Sequence, residues 1–168
     1  MTVLVPERST ESPSEELAPL VLIVEDYEDA RQMYAEYLEF AGFRVAEARN
    51  GVEAIERTRQ LRPNLVLMDL SLPAMDGWQA TERLKADEQL RHIPIIALTA
   101  HALSEELERA KRAGCDGVIA KPCLPETLVH ELRRILRESR RPRRTATTAV
   151  LEKTSGSRRD KRSDKQSP

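Results

Sequence analysis

Residues Asn64–Trp78 read NLVLMDLSLPAMDGW. The apolar run Leu65-Val66-Leu67-Met68 stops on an acid, Asp69. A continuous apolar run preceded by Pro63 and followed by a segment with Pro73 and Gly77 is the pattern of a strand buried on both faces. An ionised carboxylate at the tip of such a strand costs several kcal/mol unless it is paired or bound to a metal. Asp69 should therefore sit where something balances its charge or uses it.

The same kind of unit recurs on either side. Leu20–Val24 is an apolar strand, and Ala30, Met33, Tyr34, Tyr37, Leu38 and Ala41 follow at helical spacing up to Gly42. Phe43–Ala48 reads as a short strand, and Asn50-Gly51 leads into a helix through Val52 and Ile55. Beyond the strand Leu65–Leu70, a helix is predicted from Gly77 to Lys85, a strand from Ile93 to Leu98 and a helix from Ser104 to Ala113. A strand from Gly117 to Ala120 and a helix from Pro125 to Arg137 complete five strand-helix units. Apolar strands alternating with helices indicate the α/β class: a five-stranded parallel sheet, doubly wound, with helices on both faces. Ligands of such sheets bind beyond the carboxyl ends of the strands.

At 168 residues and 40% apolar content the chain holds one domain with flanks. Residues 19–138 form that domain. Residues 1–18, rich in Ser, Glu and Pro, and residues 139–168, rich in Arg, Lys, Ser and Thr, read as disordered. Residues 1–136 carry 16 Lys and Arg against 24 Asp and Glu, whereas residues 137–168 carry 11 against 4. An acidic body thus bears a basic tail suited to weak, salt-sensitive contact with a polyanion. No segment approaches the roughly 18 consecutive apolar residues of a membrane span, so a cytoplasmic chain without membrane contact is expected. Cys115 and Cys123 lack metal-ligand spacing and read as packed, reduced thiols.

The residues at the strand ends are Glu25 and Asp26 after the first, Asp69 at the end of the third, Thr99 after the fourth and Lys121 after the fifth. Carboxylates close together repel by about 4 kcal/mol per pair at an effective dielectric of about 20, so the group takes up protons or binds a cation. Oxygen ligands without His or Cys suit a hard divalent ion such as Mg²⁺. A lysine and a hydroxyl are then left over, and these are what a phosphoryl group wants. Asp69 accordingly reads as a nucleophile toward phosphorus. Pro122, directly after Lys121, marks a position where a cis bond would aim the lysine.

Glu25-Asp26, Asp69 with LSLPAMDG after it, ALTA at 97–100 and KP at 121–122 resemble the receiver domain of two-component response regulators over about residues 20–137. The resemblance implies a flavodoxin-like fold with strand order 2-1-3-4-5 and phosphoryl transfer to Asp69 from a histidine kinase or histidine phosphotransfer protein. It implies Mg²⁺ held by Glu25 (through water), Asp26, Asp69 and the backbone carbonyl of Ser71. Thr99 becomes the switch hydroxyl and Lys121 the counter-charge. Such a chain is not an enzyme beyond catalysing its own phosphorylation and dephosphorylation, and here its output is binding to a downstream protein. Trp78 and His101 are read as rim or packing residues. Ser71 and His101 flank the path of a hydrolytic water and should tune the phosphoryl lifetime.

Two features depart from the family pattern. Val118 stands where many members carry an aromatic residue three positions before the lysine, so signalling should use loop and helix shifts around Thr99 instead. Glu25 replaces the commoner Asp, with a longer reach and the same charge. Two alternative functions also remain. A Mg²⁺-dependent phosphohydrolase of the haloacid dehalogenase type shares the Asp nucleophile but wants a second Asp where this chain has Ser71. A protein-binding module that no longer takes phosphate would keep the pocket as a relic.

Overall fold

The computed structural model describes residues 17–101 and 103–140. In chain order they form β1 (Leu20–Val24), α1 (Glu28–Phe40), β2 (Arg44–Ala48), α2 (Gly51–Leu61), β3 (Leu65–Asp69), α3 (Gly77–Ala86), β4 (Ile95–Thr99), α4 (Ser104–Ala113), β5 (Gly117–Ala120) and α5 (Pro125–Arg140). The strands make one five-stranded sheet in the order β2-β1-β3-β4-β5, every neighbouring pair parallel. The expected doubly wound architecture and strand order are both observed.

Alternation along the strands divides the core. Val21 and Ile23 of β1, Leu65 and Leu67 of β3, and Ile96 and Leu98 of β4 face α1 and α5, meeting Tyr34, Leu38, Leu128 and Leu132. On the other face Leu22, Val24, Val66 and Met68 pack on Ala54 and Ile55 of α2 and on Ala80 and Leu84 of α3. A smaller group, Leu70, Trp78, Ala97, Ala110 and Ala113, joins α3 to α4. All five residues of β3 are buried, so truncating a core member such as Leu67 to Ala should cost about 3 kcal/mol.

Local chemistry sets the element ends. Asn50 caps α2 by accepting from the Glu53 N–H at 2.9 Å, and Asp76 caps α3 by accepting from the Gln79 N–H at 2.8 Å. β4 begins two residues later than predicted, because the Ile93 N–H is used in a turn to Leu90 O and Pro94 has no N–H to give the ladder. It also reaches one residue further, to Thr99, whose carbonyl accepts from the Lys121 N–H at 2.7 Å. The buried stripe of α1 is Arg31, Tyr34, Ala35 and Leu38, rotated from the predicted one; Met33 and Phe40 are exposed.

Helix α5 extends past its expected end at Arg137 to Arg140, carried by the Arg134–Glu138 pair at 2.8 Å one turn apart. Ser139 and Arg140 are thus helical, against the expectation that disorder starts at 139. The rest of that basic tail with its polyanion contact, and residues 1–16 of the N-terminal flank, lie outside the described residues. No helix among the described residues is long and apolar enough to cross a membrane.

Candidate functional site

Strand register assembles the acidic cluster. Val24 pairs with Met68, so Glu25 and Asp69 are level at the ends of β1 and β3. Each continues the row of its strand that faces α1 and α5. Glu25 and Asp69 are both 2% exposed, whereas Asp26 faces solvent. One carboxylate oxygen from each of the three lies within 4.8 Å of the others. Octahedral Mg²⁺ with bonds near 2.0–2.1 Å holds neighbouring ligand oxygens about 3 Å apart and opposite ones about 4 Å apart, so this oxygen-only set fits the ion once the carboxylates draw in or one of them reaches it through water.

Lys121 enters from the end of β5 and donates to Asp69 Oδ2 at 2.8 Å and Glu25 Oε2 at 3.0 Å. The Lys121–Pro122 bond is cis. Burial lowers the lysine pKa, but the hydrogen bonds and charges of Asp69 and Glu25 outweigh it and hold the ammonium above its ordinary value. For Glu25, burial and then the Asp69 charge raise the pKa more than the Lys121 contact and the Tyr27 N–H lower it. The Ser71 N–H donates to Asp69 Oδ1 at 2.9 Å, so both acceptor oxygens of this buried carboxylate are engaged. The site therefore stores negative charge that a single ammonium offsets incompletely.

The backbone around Asp69 is tightly placed. Gly77 opens α3 against it, and a Cβ there would lie 2.1 Å from the Asp69 carbonyl oxygen. The intervening loop turns through Ala74 at φ 64°, a left-handed conformation that costs a non-glycine residue about 1 kcal/mol. Met75 of this loop meets the start of α2, where a Cβ on Gly51 would lie 2.7 Å from its carbonyl oxygen.

The other residues singled out in the sequence take different places. Thr99 is 3% exposed and in the same alternate row as Ile95 and Ala97, which sends its side chain toward α4. Its hydroxyl lies 2.7 Å from Glu106 Oε2 and 2.9 Å from the His101 carbonyl, and accepts from the His101 N–H at 3.1 Å. Trp78 is a packing residue, buried at the α3–α4 junction with Arg109 4.5 Å above its ring. His101 is exposed at the rim. Val118 packs against the Trp78 group. Cys115 and Cys123 are free and half-buried; burial pushes the Cys115 thiol up to about 11 and raises that of Cys123 as well.

Two contributors were not foreseen. Arg31, 3% exposed, donates from Nη1 to the Glu25 carbonyl at 3.0 Å and the Asp26 carbonyl at 3.4 Å, and from Nε to Glu47 Oε2 of β2 at 2.8 Å. It braces the backbone that presents the acid pair. Its signal was an arginine in register with Tyr34, Ala35 and Leu38, the stripe that proved to face the core. Glu106 is the other, and nothing in the spacing of α4 distinguishes it from its neighbour Glu105.

Residues 21–133 match the family model of the response regulator receiver domain. The polar-differentiation response regulator DivK of Brucella anthropi is 43% identical over 102 residues, 61% of this chain and 83% of that protein. Among solved structures, the chemotaxis protein CheY4 of Vibrio cholerae superposes with a TM-score of 0.68 at 31% identity, covering 70% of this chain and 98% of that one. The receiver domain of a sensor histidine kinase from Pseudomonas aeruginosa gives 0.66 at 34% identity over 71% and 98%, and in that structure a magnesium ion is coordinated in the active-site cleft.

Proposed function

The chain belongs to the response regulator receiver family, and from that premise we propose that Asp69 is the phosphoacceptor of a two-component relay. The observation that carries this reading is the Lys121 ammonium seated between Asp69 and Glu25 in a buried three-carboxylate cluster. A phosphohistidine of a histidine kinase or histidine phosphotransfer protein is the donor. An Asp69 oxygen attacks phosphorus, the P–O bond forms as the P–N bond breaks, and the histidine leaves with the electron pair and takes up a proton.

Glu25, Asp26, Asp69 and the Ser71 carbonyl would hold Mg²⁺, the first through water. When bound, the ion neutralises charge on the transferring oxygens. Lys121 shifts from the bare carboxylates to the phosphoryl oxygens, and Arg31 keeps the backbone that carries the acid pair in place. The Thr99 hydroxyl turns to the phosphoryl group, and the change reaches a downstream protein through α4. We place this activity in the cytoplasm, with no turnover of external substrates.

Intact-protein mass spectrometry after treatment with a small phosphodonor tests the reading. The native chain should gain one alkali-labile phosphoryl group in a Mg²⁺-dependent way, and Asp69→Asn should gain none. Label retained in Asp69→Asn would reject Asp69 as the acceptor.

A further inference from the structure

The hydroxyl of Thr99 has one proton and two acceptors, the Glu106 carboxylate at 2.7 Å and the His101 carbonyl at 2.9 Å. The carboxylate is the stronger, since an O–H to ionised oxygen bond is short and roughly twice as strong as a neutral one. Glu106 lies in the first turn of α4, and that helix is thinly attached. Its buried residues are Ala110 and Ala113, both in its second half, whereas in its first half no side chain is fully buried and only Glu106 and Leu107 are half-buried. The Thr99–Glu106 bond therefore holds the first turn of the helix where apolar packing does not, whereas Arg109 over Trp78 ties down the same half as Ala110 and Ala113. Val118 offers no aromatic ring to transmit a movement of Thr99.

We propose that Glu106 is a latch: it holds the Thr99 hydroxyl away from the acceptor in the unphosphorylated chain and ties the first turn of α4 to the site. The inference rests on Asp69 being the phosphoacceptor. A phosphoryl group on Asp69 and the Glu106 carboxylate compete for the same proton, so the hydroxyl cannot serve both. Its capture by phosphate releases Glu106, and with it the first turn of α4. Two states are separated only by the contacts that differ between them, and here one donor exchanged between two anions makes the difference. Glu106 is a positioning residue, acting on the phosphoryl group only through Thr99.

Beryllofluoride with saturating Mg²⁺ is the probe, its affinity for the full chain read by fluorine NMR. A hydrogen bond to a charged group is worth enough that Glu106→Ala should bind beryllofluoride about tenfold more tightly than the native chain. Glu106→Gln keeps a neutral acceptor and should gain only about threefold. Combined with Thr99→Ala, the Glu106→Ala substitution should change affinity by less than about twofold, as removal of the shared partner requires. An equal gain in both backgrounds would overturn the latch, because it would reflect only the loss of a negative charge near an anion. No gain from either Glu106 variant in the native background would overturn it too. A native chain that binds no beryllofluoride at all would instead overturn the acceptor reading beneath it.

Discussion

Replacing Gly77 by Ala sets two effects of opposite sign against each other. Gly77 is the first residue of α3, and Ala is the better helix former by at most about 1 kcal/mol. Against this, the new Cβ would lie 2.1 Å from the Asp69 carbonyl oxygen and 2.7 Å from the Leu70 Cα, both backbone atoms that no rotamer change can move aside. Ordinary contact lies near 3.4 Å, so α3 or the end of β3 must shift by about 1 Å, and overpacking of that kind costs up to about 3 kcal/mol. The clash wins by about 2 kcal/mol. With a urea slope near 1.5 kcal/mol per molar, the unfolding midpoint should fall by about 1 M or more. The displaced backbone carries the nucleophile, and a misplacement of about 1 Å can cost a hundredfold in rate, so phosphorylation by a small donor should slow as well. A Gly77→Ala protein as stable as the native chain or more so, phosphorylated at the native rate, would refute the close approach as the reason for glycine.

Further outcomes follow from individual contacts. Arg31→Ala should lower stability by about 3 kcal/mol in urea denaturation, as three charge-assisted bonds are lost and the Glu25 and Asp26 carbonyls lose this donor. The same variant should weaken Mg²⁺ binding in calorimetry, and Arg31→Lys, lacking the forked donor geometry, should recover only part of either loss. Lys121→Ala should bind Mg²⁺ at least as tightly as the native chain, because the ammonium competes for the oxygens of Glu25 and Asp69; weaker binding would show that it helps to build the metal site. With its thiol pKa at about 11, Cys115 carries about a hundredfold less thiolate at pH 8 than a thiol of pKa 9 and should alkylate at least about tenfold more slowly, measured by mass spectrometry with iodoacetamide.

Which residues meet at the carboxyl edge of the sheet is legible in the chain before it folds. Uninterrupted apolar runs such as Leu65–Met68 mark strands buried on both faces, and in a parallel sheet every such strand ends at the same edge. Glu25, Asp26, Asp69, Thr99 and Lys121 could therefore be collected from their positions within two residues of a run's end. Which side of that edge each side chain takes depends on strand length to a single residue. β4 includes Thr99 and so points its hydroxyl to α4 and Glu106, a difference that boundaries read from apolar runs do not resolve. The Arg31 brace joins α1 to the β1 loop and to Glu47 of β2, and it exists only because β2 lies at the sheet edge beside β1. Gly77 needs its missing side chain because of where α3 lands on β3. Periodicity states that a face is buried, whereas the atoms that cover it are chosen by how distant segments pack, and that choice is made only in the folded chain.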